Sequence, residues 1–120
     1  MNKRELGTNY EKMACDYLES KEYKIIERNF RTYKGEIDII ASDKEYLVFV
    51  EVKLRKSAKF ASAFEHVDYH KQNRLRTTAE FFLSQNPTDL QPRFDVIEIY
   101  APEGMDTKKP VIHHLEDAFQ

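Results

Sequence analysis

The chain has 120 residues, 41% of them hydrophobic and 33% charged, with seven Tyr, eight Phe, one Cys and a net charge of −2. That length suits a single domain over residues 1–120, and the slightly acidic balance excludes a globally basic phosphate-coating protein, so any nucleic-acid contact must come from a local patch. Cys15 alone excludes a disulfide framework and a cysteine-based zinc site, while the polar start and lack of any apolar run near 20 residues predict a cytoplasmic protein with no membrane contact.

Leu6, Tyr10, Met13, Ala14, Tyr17 and Leu18 recur at helical spacing, predicting a helix from Leu6 to about Ser20. Glu11 lies on the flank of that stripe and reads, by periodicity, as a surface glutamate on a helix edge. Tyr23 to Arg31 reads as a first strand, and Lys34-Gly35 as a turn. Gly35 to Arg55 (GEIDIIASDKEYLVFVEVKLR) then reads as a hairpin whose second strand is apolar enough to be covered on both faces. No Asn-Gly or Asp-Gly pair marks its turn.

A loop of small and basic residues follows, and then a second long helix from Phe64 to about Ser84 with Phe64, Val67, Leu75, Ala79 and Phe82 as its apolar stripe. Lys71 falls within that stripe, where a lysine can lay its stem over the core and keep its amine in water. Asn86-Pro87 ends the helix. Arg93 to Tyr100 predicts another strand, Val111 to Leu115 a last edge strand, and Glu116 to Phe119 a short docked turn. The order helix, three strands, helix, two strands predicts an α/β fold: a mixed sheet, with an antiparallel hairpin and a parallel crossover, flanked by helices.

Three charges stand where the sheet should be covered. Strand alternation puts Glu51 and Lys53 on the face of Leu47 and Phe49, opposite Val48, Val50 and Val52. Any even-numbered loop pairs Asp38 with an odd-numbered partner. A two-residue loop at Lys44-Glu45 sets Asp38 opposite Glu51, and a four-residue loop sets it opposite Phe49, with the carboxylate-bearing Cβ atoms about 4.5–8 Å apart either way. Only an odd loop or a bulge would separate them. Two reasons for such a triplet are open: a solvated charge cluster at the end of the hairpin, or a magnesium or manganese site. In the second case Asp38, Glu51 and the Val52 carbonyl would hold the ion and Lys53 would orient an attacking water. The pair His66 and His70 has helical spacing but no third ligand, and His113-His114 has no ligand spacing and falls at a sheet edge.

The stretches GEIDIIA and VFVEVK, in this element order, resemble the PD-(D/E)xK nucleases, whose core is restriction-endonuclease-like. More closely, the chain resembles the YraN-like family of small bacterial proteins, themselves similar to archaeal Holliday junction resolvases. The resemblance runs from Gly7 and Glu11 through Arg28-Asn29, GEIDIIA, FVEVKLR, KQNRLRTTAEFFL and RFDV to Asp117-Ala118-Phe119. It implies a magnesium- or manganese-dependent nuclease with Asp38 and Glu51 as metal ligands, Lys53 as the catalytic lysine and Glu11 as an additional acidic residue of the catalytic and metal-binding set. Glu36 and Lys71 take supporting roles. Ile37 stands where the superfamily's motif has proline.

Arg28, Arg31 and Lys34 before the hairpin, Arg55 and Lys56 after it, and Arg74 on the second helix form a local basic rim suited to a phosphodiester, DNA ahead of RNA. Resolvase-like relatives act as dimers, so the resemblance also implies a homodimer. The alternative is a nucleic-acid- or protein-binding module on the same fold without turnover.

Overall fold

The computed structural model describes residues 3–55, 68–103 and 108–120, with side chains from residue 9 onward. Its elements are α1 (Lys3–Ser20), β1 (Lys24–Thr32), β2 (Gly35–Ser42), β3 (Tyr46–Arg55), α2 (Tyr69–Gln85), β4 (Gln91–Tyr100) and β5 (Val111–Phe119), in the order expected. The strands form one sheet in the order β1-β2-β3-β4-β5, antiparallel except for the parallel β3–β4 pair.

The near-continuous apolar run of β3 has a simple cause: β3 is the middle strand and both its faces are covered. Val48 and Val50 pack with Tyr10, Ala14, Cys15 and Leu18 of α1, while Leu47 and Phe49 pack with Leu75, Ala79 and Phe82 of α2. Phe49 is 2% exposed and meets Phe82 edge-on at 6.1 Å and Phe94 at 5.5 Å. Burying a ring of this size stabilises by about 1.5–3 kcal/mol, so the two cores, one on each face, hold the sheet between the helices.

The hairpin turn is held by a side chain rather than by glycine. Asp43 Oδ1 accepts from the N–H groups of Glu45 at 2.8 Å and Tyr46 at 2.7 Å, leaving Lys44-Glu45 as the two-residue loop. The ladder then runs Ser42–Leu47, Ala41–Val48, Ile40–Phe49 and Ile39–Val50, the register that carries Asp38 toward Glu51.

Two boundaries differ from the sequence expectation. α2 begins at Tyr69, because Asp68 is extended and caps the helix by accepting from the Lys71 N–H at 2.8 Å. Lys56, Phe64, His66 and Val67 lie outside the described residues. The last strand runs on to Phe119 instead of ending at Leu115. Asp117 adopts a left-handed φ of 52° and the register slips opposite Asp95, which lets Phe119 return to pair with Phe94 and stack on it at 4.8 Å.

Candidate functional site

β2 does not alternate regularly. Ile37 lies in the core under α2 and Ile39, only two residues on, lies in the core under α1. The partner strand turns at the matching place, where Asn29 takes a left-handed φ of 54° between the Arg28–Ile39 and Phe30–Ile37 pairs. Asparagine tolerates that conformation better than most residues. Asp38 sits at this swivel. Beyond it the hairpin wraps onto α2, where a Cβ on Gly35 would stand 3.0 Å from Thr78 Oγ1 and 3.5 Å from Arg74 Cβ. The close approach accounts for glycine there.

The swivel also ends the β2–β3 ladder at Ile39–Val50. The Val52 N–H, next on that side of β3, is met by a side chain: it donates to Asp38 Oδ2 at 2.8 Å. In a strand the N–H and C=O of one residue point the same way, so the Val52 carbonyl lies on this side too. A cleft of about 250 Å³ opens at the gap, lined by Gly35, Glu36, Asp38, Glu51, Lys71, Arg74 and Leu75.

Glu51 is buried on the α2 face, and its Oε1 is shared by two ammonium groups, Lys71 at 2.5 Å and Lys53 at 3.3 Å. Lys71 therefore ends on a carboxylate inside the cleft rather than in water. Burial, reinforced by the Glu51 charge, pushes the Asp38 carboxyl up to about 7, against the lowering effect of its bond from Val52. Glu11 and Glu36 add to the rise. Burial and the neighbouring Lys71 lower the Lys53 ammonium, with Glu51 opposing. Burial works against Lys71 as well, but its bond to Glu51 prevails and its pKa is raised. Of the two lysines on one carboxylate, Lys53 releases its proton more readily.

Glu11 projects from α1, on the other side of the sheet from α2. Its Oε1 is buried without a hydrogen bond, and the guanidinium of Arg28 lies 4.0 Å away. It acts on Asp38 through charge and does not line the cleft. Among the described residues no group of three or more His, Cys, Asp and Glu side chains is arranged to hold a metal ion by itself. Asp38 and Glu51 stand in the cleft as two carboxylates.

The basic residues divide. Arg74 lines the cleft, and Arg31, which does not, has its Nε 3.3 Å from the cleft residue Glu36. Lys34 lies over the ring of Tyr33. Arg55 turns inward, with Nε 4.0 Å from the fully buried Glu98 and 22% of its side chain exposed, so it is poorly placed for a phosphate.

Sequence reasoning missed a second polar cluster, on the α1 face. Arg93 grips Asp95 through Nε at 2.9 Å and Nη2 at 2.8 Å, and also donates to Tyr23 Oη at 2.7 Å. His114 Nε2 lies 2.7 Å from Asp95 Oδ2, with its Nδ1 3.1 Å from Tyr17 Oη, so His114 is a buried member of a network. The alternation Arg93-x-Asp95 on a strand was the available signal.

Fold and site together define an α/β domain with a carboxylate–lysine cleft where two central strands part. The chain belongs to the family described as Uncharacterised protein family UPF0102, whose model matches residues 10–99. It is 45% identical to the UPF0102 protein of Caldanaerobacter subterraneus subsp. tengcongensis over 99% of this chain and 98% of that one. It is 46% identical to the one from Thermodesulfovibrio yellowstonii over 99% of each, and 47% identical to the one from Francisella tularensis subsp. novicida over 79% and 84%. Among the described helices none is long and apolar enough to cross a membrane.

Proposed function

We propose that this chain is a divalent-metal-dependent nuclease that hydrolyses phosphodiester bonds of DNA, branched DNA included. The observation that carries the reading is one cleft holding Asp38 and Glu51 side by side, with Lys53 on the same Glu51 oxygen as Lys71. The resemblance of GEIDIIA and VFVEVK to PD-(D/E)xK nucleases and to junction resolvases supports it.

Asp38 and Glu51, with the Val52 carbonyl, would hold magnesium or manganese, hard ions that bind through one or two carboxylates and keep water elsewhere. The donor set fits: Asp38 and Glu51 line one cleft, and the Glu51 charge opposes ionisation of Asp38, a repulsion that a cation there would offset. When bound, such an ion supplies a Lewis acid and a water of lowered pKa. The remaining work falls to this chain's own side chains. Lys53 sets an ammonium beside the reacting phosphate, orienting water and stabilising charge on the phosphoryl oxygens. Lys71 holds Glu51 in place, and Arg74 meets an adjacent phosphate at the cleft wall.

A second reading has its own support. Lys53 and Lys71 together neutralise Glu51 without any ion, and the net charge is −2, both of which suit a binding module without turnover. The test is incubation with single-stranded, duplex, flap and four-way-junction DNA in magnesium or manganese. Lys53→Ala is expected to slow cleavage by at least about 100-fold, and Asp38→Ala to do the same. Cleavage that survives both substitutions removes the site from the reading. No cleavage of any of the four DNAs, with metal bound in calorimetry, selects the binding module.

A further inference from the structure

The swivel at Asp38 brings the β1–β2 hairpin tip beside α2 and builds a second groove there, outside the cleft. Its volume is about 370 Å³, and Arg31, Thr32, Tyr33, Lys34, Thr77 and Phe81 line it. Tyr33 is 94% exposed and Phe81 46%. Phe81 is braced from behind, stacked on Phe30 at 6.3 Å, so its outer side is presented by a rigid support. Lys34 Nζ lies 5.2 Å from the Tyr33 ring centre, and the Arg31 side chain is 72% exposed.

Two exposed aromatic rings beside Lys34 and Arg31, the latter sharing its charge with Glu36, suit a ligand that is both flat and anionic. A nucleotide has both properties, its base stacking on the rings and its phosphate meeting Arg31 and Lys34. A base inside a duplex already has both faces covered by its neighbours. We infer that this groove takes an unpaired nucleotide of a DNA strand whose backbone passes the Asp38–Glu51 cleft, so that the protein selects DNA with a single-stranded arm. The inference rests on the nuclease reading for the course of that strand, while the stacking itself is independent of hydrolysis. Gly35 lines the cleft and follows the Tyr33-Lys34 turn directly, so groove and cleft adjoin on one hairpin.

The experiment uses the full chain in EDTA, with 2-aminopurine placed either in the unpaired arm of a flap or at a paired position of the matching duplex. Saturating wild-type protein is expected to quench the unpaired probe and leave the already dim signal of the paired one unchanged. Tyr33→Ala should abolish the quench and weaken flap binding about 5- to 150-fold, whereas Tyr33→Phe should keep both. A quench that survives Tyr33→Ala, or that is equal on the paired probe, overturns the inference. So does a dimer in sedimentation velocity that forms without DNA and is lost in Tyr33→Ala, since it would assign the groove to a second copy of the chain. The two readings fail separately. Cleavage of duplex without any quench on the flap overturns the groove and keeps the nuclease. A Tyr33-dependent quench with no cleavage in magnesium supports the groove and removes the nuclease.

Discussion

Replacing Asp38 with asparagine is expected to stabilise the metal-free protein at pH 8 and to leave its stability at pH 4 nearly unchanged. The unfolded chain releases the Asp38 proton near 3.8, whereas the folded chain holds it to about 7. Between those values the native state binds the extra proton, so wild-type stability falls as pH rises from about 4 through about 7 and levels off above. The full displacement corresponds to about 4 kcal/mol. Asparagine keeps an oxygen that can accept from the Val52 N–H and removes the charge that burial and Glu51 oppose. At pH 8 in EDTA the variant should melt roughly 10 °C higher, with the gap closing toward pH 4. Parallel melting curves at every pH would show that Asp38 is not under this strain. Under the proposed function, magnesium or manganese offsets the same charge. It should raise the wild-type melting temperature at pH 8, do so less at pH 5, and leave the variant unmoved.

The other large effect is expected at Asp95, on the opposite face. Asp95 is fully buried and receives two bonds from Arg93, one from the Asp117 N–H and a contact from His114. Burial alone would raise its pKa, but His114 and Arg93 hold it below the usual carboxylate range. Its contribution is therefore present above about pH 4 and fades as the pH falls below it. Asp95→Ala leaves the Arg93 guanidinium buried against Tyr23 and Tyr46 with no counter-charge, and frees the Asp117 N–H that anchors the last strand. Breaking a buried pair in this way costs about 3–5 kcal/mol, a large share of the stability of a domain this size. Urea titration at pH 7 should show that loss, with Asp95→Asn milder. A loss under about 1 kcal/mol would mean that the network is dispensable.

Much of the framework was legible in the chain because it depends on local periodicity. The apolar runs gave the order of elements, and the parity of a two-residue loop carried Asp38 toward Glu51. The details that shape the cleft come from longer-range packing. Asn29 turns left-handed because its hairpin must wrap onto α2, and no residue near Asp38 announces that Ile37 and Ile39 will enter different cores. Lys71 read as a lysine reaching for water because its carboxylate partner lies on a strand about twenty residues upstream. The hairpin turn lacked its usual glycine signal because Asp43 does the work through its side chain. His114 looked like an edge residue, and β5 is an edge strand, but its ring turns inward to Asp95.

The irregular pairing of the two outer strands has a consequence for assembly. β1 breaks register between Ile25 and Glu27, and β5 does so around Asp117, so each flank of the sheet carries a kink. Charged Glu27, Arg28 and Arg31 follow the first kink, and Glu116 and Asp117 occupy the second. A bent, charged border offers a poor template for another strand. Both described edges of the sheet thereby disfavour the addition of a further strand, the arrangement by which sheets are protected from edge-to-edge aggregation.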